Sequence, residues 1–346
     1  MKAWKALLLF VGFGHLANAQ NDTLPRATTP EQVQLEKIRT RRIKDLSFAY
    51  QTQNYATRSY ACPPYFDLGS PKTWYILSAD IIPEFIIGSE RIPFTMHLVT
   101  RYMVRILHDD EKAGDSSFAV RTPSFMPGAI VYIPLNYTNA QSDNITYMGI
   151  ALFHHSNGQD GNEFNSDGSF NLYDGNFSTN FIEPSYHFRR RKYKITAAVI
   201  TEPTLRRNYD ELYGSAGLEL HFGTSDSLKS SYEDRRINLQ LGYIRVKNYW
   251  SKYKGQKLTN YFEEKDRMVF DLTIIAGDRD QGLSAFEKRI NAAIQYYWRI
   301  KGSPNSSFFA SAGYYGSDPY NIYYANSYFY FRAGIALGIF ITPKLK

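Results

Sequence analysis

The 346-residue chain has one cysteine, Cys62, which excludes an intramolecular disulfide. Cys62 also lies far from the N-terminus, so a lipid-anchored leader is not expected. No apolar run approaches the roughly 20 residues that a membrane-spanning helix needs. The most apolar stretch, 6–13, is too short for that. Nothing in the chain resembles a nucleic-acid-binding module. The formal charge is +7, and it falls to roughly +5 once Lys2 and Lys5 are removed with a leader. A basic exterior of that size suits lipid phosphates, and equally an ordinary solvated surface.

What is present is an export signal and an unusual aromatic load. Lys2 and Lys5 precede and flank the apolar stretch, and Ala17-Asn18-Ala19 gives the small-x-small pattern of a signal-peptidase site. Residues 1–19 therefore read as a signal peptide. Tyrosine (28) and phenylalanine (23) are abundant, yet the mean hydropathy is polar. A transmembrane barrel reconciles the two, because only alternate residues of each strand face lipid and aromatics girdle both interfaces.

Residues 20–65 differ from the rest. Thr29-Pro30-Glu31-Gln32 has the form of an N-cap, a proline at the first helical position and a capping-box glutamine. A basic helix to about Asp45 is expected, as a periplasmic segment or a lumen plug. From Thr73 onward the pattern has period two, and a barrel is expected over 66–346. Candidate strands start near Trp74, Phe94, Ala129, Ile145, Ser169, His187, Tyr213, Arg236, Arg267, Lys288, Ser307 and Tyr328. Ile290, Ala292, Ile294, Tyr296 and Trp298 share one face, against Arg289, Asn291, Gln295 and Arg299. Phe331, Ala333, Ile335 and Leu337 oppose Arg332, Gly334 and Ala336. The expected fold is all-β, a transmembrane antiparallel barrel of about 12 strands with a short N-terminal helical or irregular segment.

The chemistry concentrates in 145–173. Met148, Ile150, Leu152, His154 and Ser156 fall on one strand face, and Gly149, Ala151, Phe153 and His155 on the other. The Met-Ile-Leu face is the lipid face, so His154 and Ser156 point outward, where polar groups are costly unless used. His155, on the opposite face, reads as lumenal packing, and His97, His187 and His221 as lumen or interface residues. Asn157-Gly158 ends the strand, and a polar loop holding Asp160, Asn162, Glu163, Ser166 and Asp167 follows. A next strand from about Ser169 sets Asn171, Tyr173, Phe177 and Phe181 on one face, taken as the lipid side. An alcohol, an imidazole and an amide on one wall are the make-up of a nucleophile, a base and an orienting group.

The stretch His154-His155-Ser156-Asn157-Gly158, followed by Ser169-Phe170-Asn171-Leu172-Tyr173, resembles the active-site hairpin of the outer-membrane phospholipase A family. The resemblance covers about thirty residues. It implies a twelve-stranded outer-membrane barrel that hydrolyses acyl esters of membrane glycerophospholipids, with Ser156 as nucleophile, His154 as base and Asn171 as orienting group. Because the loop is longer than the family pattern, Asn162 and Asn165 are alternatives to Asn171. The family's calcium, which helps hold the oxyanion at a homodimer interface, would take Gln159 (through its carbonyl), Ser166 and Asp167 as ligands here. The setting implied is an outer leaflet of lipopolysaccharide. Two alternatives stand beside it. One is a lipid A deacylase-type esterase, with Glu163 as third member, and the other is a non-catalytic porin or structural barrel.

Strand parity adds a constraint. If both termini are periplasmic, an even number of strands must precede His154, yet three candidates do. Either a further strand lies in 47–59 or 116–125, or one of the segments is wrong. An added strand would make thirteen, so a later segment would then be miscounted.

Overall fold

This computed structural model describes residues 59–62, 75–88, 94–107, 121–135, 144–195, 207–232, 235–251, 259–277, 279, 283–300, 303 and 306–341. The expected signal peptide and N-terminal helix lie outside the described residues.

Fourteen strand segments form one sheet that closes on itself. They are β1 (Ser59–Cys62), β2 (Tyr75–Ile81), β3 (Pro83–Gly88), β4 (Thr95–Leu107), β5 (Arg121–Pro134), β6 (Asn144–Ser156) and β7 (Ser178–Ile195). There follow β8 (Arg207–Phe222), β9 (Arg235–Ser251), β10 (Thr259–Ala276), β11 (Ile290–Arg299), β12 (Ser306–Tyr315), β13 (Tyr328–Leu337) and β14 (Ile339–Ile341). Only Ile82 separates β2 from β3, and only Gly338 separates β13 from β14, so these segments make twelve staves. Neighbouring staves are antiparallel throughout. The exception is at the seam, where β1 ends as a wedge between β13 and β2 and β14 pairs parallel with β3. The expected twelve-stranded barrel is the observed fold.

Two details resolve the strand-parity problem. A short strand, β1, precedes β2 and starts at Ser59, so four staves precede β6 and the barrel begins earlier than residue 66. The segments expected from Ser169 and from His187 are one strand, β7, which begins at Ser178, and 169–177 is loop. Of the segment 116–125, the described residues 121–125 belong to β5, which starts at Arg121. β1 escapes pattern reading because four residues hold too little alternation, and its place is set by its partners on both sides.

The two faces of the wall differ as lipid and lumen do. Outward side chains include Met148, Ile150, Leu152, Ile182, Leu239, Leu241, Phe270, Ile294, Phe331 and Ile335, all substantially exposed. On a soluble protein so continuous an apolar band would be a liability, and on a barrel it is the hydrocarbon contact. The lumen is lined by ion pairs and amide bonds around a cavity of about 530 Å³. Arg105 donates to both Asp318 oxygens at 2.6 and 2.8 Å, and Tyr328 adds a third hydrogen bond at 3.0 Å. Gln240 and Gln295 each donate to Asp271 at 2.8 Å. Arg189 and Arg191 share Glu211, and Arg267 pairs with Glu264. His97, His155 and His187 point into this interior and are buried, as their sequence parity implied.

One end of the barrel is closed by a buried cluster that includes Met103, Met126, Phe177, Leu228, Tyr232, Tyr320 and Tyr324. Its parts come from the β6–β7 loop, the short helix α1 (Asp226–Tyr232) and the turn at Asn321–Ala325. Asp318 anchors that turn to the wall through Arg105, which also stacks over Tyr320 with 4.3 Å to the ring centroid. Removing one partner of a buried pair leaves the other charge uncompensated, at a cost of about 3–5 kcal/mol. Asp318→Ala should therefore lower the temperature at which the folded, fast-migrating band is lost on a gel. Surface Asp226→Ala should not change it.

Candidate active site on the outer wall

β6 alternates cleanly. Ile145, Tyr147, Gly149, Ala151 and His155 are buried, while Met148, Ile150, Leu152 and His154 are exposed. The outward parity of His154 and Ser156 is thus as the sequence indicated. Depth follows from the same strand. From Thr146 to Ser156 is ten residues, which at about 3.3 Å per residue and a tilt near 40° climbs about 25 Å. That is the height of an apolar band, with Met148, Ile150 and Leu152 within it. His154 and Ser156 sit at its upper boundary.

The structure pairs His154 with Asn180. The two are directly opposite in the β6–β7 register, and His154 Nδ1 lies 3.0 Å from Asn180 Oδ1. An amide oxygen only accepts, so Nδ1 is the donor in this bond, and a neutral ring then presents Nε2 as the acceptor. Ser156, two residues along the same face, has its Cβ roughly 7 Å from that of His154, within reach of Nε2 by side-chain rotation. Phe125 on β5 stands opposite Ser156 and meets Tyr102 edge-on. Phe222, 43% exposed, stands opposite Asn180. The polar group is therefore framed by apolar and aromatic side chains.

Asn171 lies elsewhere. It belongs to the loop, where its amide donates to Asn162 O at 2.9 Å and to Asp174 Oδ1 at 2.6 Å. Its own Oδ1 accepts from Tyr173 N at 3.1 Å. The face expected for this segment is also reversed. Phe177 and Phe181 are buried toward the lumen, and Ser178, Asn180, Ile182 and Tyr186 form the outward row. Phe177 and Phe181, expected on the lipid side, instead pack into the aromatic closure and the lumen. One signal was present in the sequence: Ser178 and Asn180 precede Ile182, Pro184 and Tyr186 at the same parity.

The other loop candidates are also dispersed. Asn162 gives its carbonyl to Asn171. Asn165 bonds Ser169 and Phe170 O. Glu163 is placed beside Ser225 and Ser227 of the next loop. Its slight burial raises its pKa, but hydrogen bonds from its own backbone and those two serines hold it below the usual carboxylate range. Asn157 is the staple of the loop. Buried at 1% exposure, it donates to Gly175 O at 2.8 Å and accepts from Phe177 N at 3.0 Å. Gly158 follows with φ of +69°, a backbone turn that disfavours a side chain.

The three residues that the family resemblance implies for calcium do not converge. Gln159 is at the base of the loop, its N–H bonded to Asn157 Oδ1. Ser166 and Asp167 are in the exposed tip, beyond the bridges Gly161–Gly175 and Phe164–Phe170. Asp167 instead closes a turn, accepting from Ser169 Oγ at 2.6 Å and Ser169 N at 2.9 Å, which holds its carboxyl below the usual range. Among the described residues no group of three His, Cys, Asp or Glu side chains is arranged to hold a metal.

Fold and outer-wall geometry together define a membrane-spanning β-barrel with an oriented His–Asn pair and a serine at its apolar boundary. Among solved structures the chain is similar to outer membrane phospholipase A from Escherichia coli, with a TM-score of 0.47 and 10% identity. The match covers 81% of this chain and 89% of that one. No protein-family model matches the chain, and no curated protein matches it. From the dispersed ligands we expect that Asp167→Ala leaves any calcium dependence of the protein unchanged, titrated with the ion against chelator. A large shift in the calcium required would put Asp167 in a coordination sphere after all.

Proposed function

We propose that this barrel is an outer-membrane esterase that hydrolyses acyl ester bonds of membrane glycerophospholipids. The observation that carries the reading is the outward hydrogen bond between His154 and Asn180, with Ser156 next on the same face at the hydrocarbon boundary. Ester carbonyls of a lipid lie at that depth, and Leu152, Phe125 and Phe222 offer apolar surface for its chains.

In the mechanism, His154 Nε2 takes the proton of Ser156 as Oγ adds to the ester carbonyl carbon. The imidazolium then protonates the leaving glycerol oxygen, giving an acyl-serine and a lysolipid. Water, deprotonated by the same Nε2, hydrolyses the acyl-serine. Asn180 fixes the tautomer and ring plane of His154 throughout, the role that the family resemblance gave to Asn171. A neutral amide serves this position without adding a buried charge at the lipid edge. Placed facing the lipopolysaccharide leaflet, the site would meet phospholipid only when that leaflet is disturbed.

The test is release of fatty acid from phospholipid in mixed micelles by the detergent-extracted full chain. Ser156→Ala should abolish it with heat-modifiable migration intact. A hydrogen bond to a group that becomes charged is worth about 1.5–3 kcal/mol, so Asn180→Ala should slow turnover about 10- to 150-fold. Asn171→Ala should change it little. An Asn171 variant slower than the Asn180 variant would return the orienting role to Asn171, and full activity in Ser156→Ala would remove the nucleophile.

A further inference from the structure

Any serine esterase must stabilise the negative charge that grows on the carbonyl oxygen, with donors about 2.7–3.1 Å from it. The backbone donors near Ser156 are committed elsewhere. The N–H of Asn157, the residue after the nucleophile, donates to Phe177 O at 3.0 Å. Alternation along a strand turns the N–H of Ser156 toward β5, where Phe125 is its partner. The Asn157 side-chain amide is bonded to Gly175 O.

On the outward face the side chain directly across from Ser156 supplies a donor. The register that sets His154 opposite Asn180 also sets Ser156 opposite Ser178. These four side chains form a square, with His154 and Asn180 as one row and the two serines as the other. Directly opposed residues have Cβ atoms about 4.5–5.5 Å apart. Between Ser156 and Ser178 there is thus room for a carbonyl group lying across the rung. Among the described residues no hydrogen bond occupies either hydroxyl.

We propose that Ser178 is the oxyanion donor of this site, a catalytic residue that touches the reacting oxygen. The inference rests on the reading of Ser156 as nucleophile. As Ser156 Oγ bonds to the carbonyl carbon, the π pair moves onto the carbonyl oxygen and the Ser156 proton goes to His154 Nε2. The Ser178 O–H donates a hydrogen bond to that oxygen and keeps its proton. When the pair returns, the bond to the glycerol oxygen breaks, and that oxygen leaves with the proton held by His154. The same hydroxyl then serves the second tetrahedral intermediate, formed by water on the acyl-serine.

The assignment is tested on the detergent-extracted full chain with phosphatidylcholine in mixed micelles, measuring kcat and KM separately for wild type, Ser178→Ala, Ser178→Thr and Ser156→Ala. Loss of one oxyanion donor costs about 10²- to 10³-fold in kcat. Ser178→Ala should show that loss at unchanged KM and with heat-modifiable migration intact. Ser178→Thr, which keeps the hydroxyl and suits a strand, should recover most of the rate. Wild-type kcat in Ser178→Ala overturns the proposal while leaving the esterase reading in place. Equal losses in the Ala and Thr variants also overturn it, since they would show that packing alone mattered. Retained activity in Ser156→Ala with none in Ser178→Ala would make Ser178 the nucleophile and overturn it too. An inactive wild type, by contrast, defeats the esterase reading itself.

Discussion

Within a bilayer there is no water to satisfy the N–H and C=O groups of a strand edge, and each one left unpaired costs several kcal/mol. A sheet in that medium must close, and here closure is completed by the short β1 and by β14 against β3. Closure fixes the register of every stave, and register fixes which side chains face lipid. A slip of one residue between β6 and β7 would turn Asn180 into the lumen and set an inward residue beside His154. The outer-wall site therefore depends on the seam on the far side of the sequence as much as on its own hairpin.

The support behind the site is aromatic and rigid. Phe177 and Thr179, the inward neighbours of Ser178 and Asn180, are fully buried. The rings of Phe177 and Tyr232 meet at 4.8 Å, and those of Tyr232 and Tyr324 at 4.9 Å. His155, between His154 and Ser156, is tied to Ser124 and packs on Phe177. Every second residue of this stretch is thus locked into the lumen, and the outward ones inherit its order. That is how a shallow exterior site gains the fixed geometry that the proposed proton transfer needs.

Much of this was legible in the sequence, and the failures lie where cross-strand register and local packing decide. The faces of β6, β11 and β13 could be read from alternation, because a lipid-facing row next to a polar lumen gives a strong two-residue period. His154 and Ser156 followed from that parity. Asn180 did not follow, because a polar loop of about twenty residues separates it from Ser156, and the register across such a loop is set by hydrogen bonding. Phe177 and Phe181 compounded the error. An apolar ring faces lipid in most of the wall, yet beside the closed end it faces an aromatic core. The family resemblance pointed to Asn171 through a local motif, whereas the cross-strand pairing brings Asn180 to His154.

The proposed esterase stands on Ser156 acting as a nucleophile on the lipid-facing wall. The most direct measurement is covalent labelling of the folded, detergent-extracted barrel with a long-chain alkyl fluorophosphonate, followed by mass spectrometry of its peptides. A serine activated by its neighbouring histidine displaces fluoride and keeps the phosphonate. One phosphonate per barrel is expected, on Ser156, and none when the barrel is unfolded by heat beforehand. No incorporation, or incorporation on a lumenal hydroxyl such as Ser124, would contradict it.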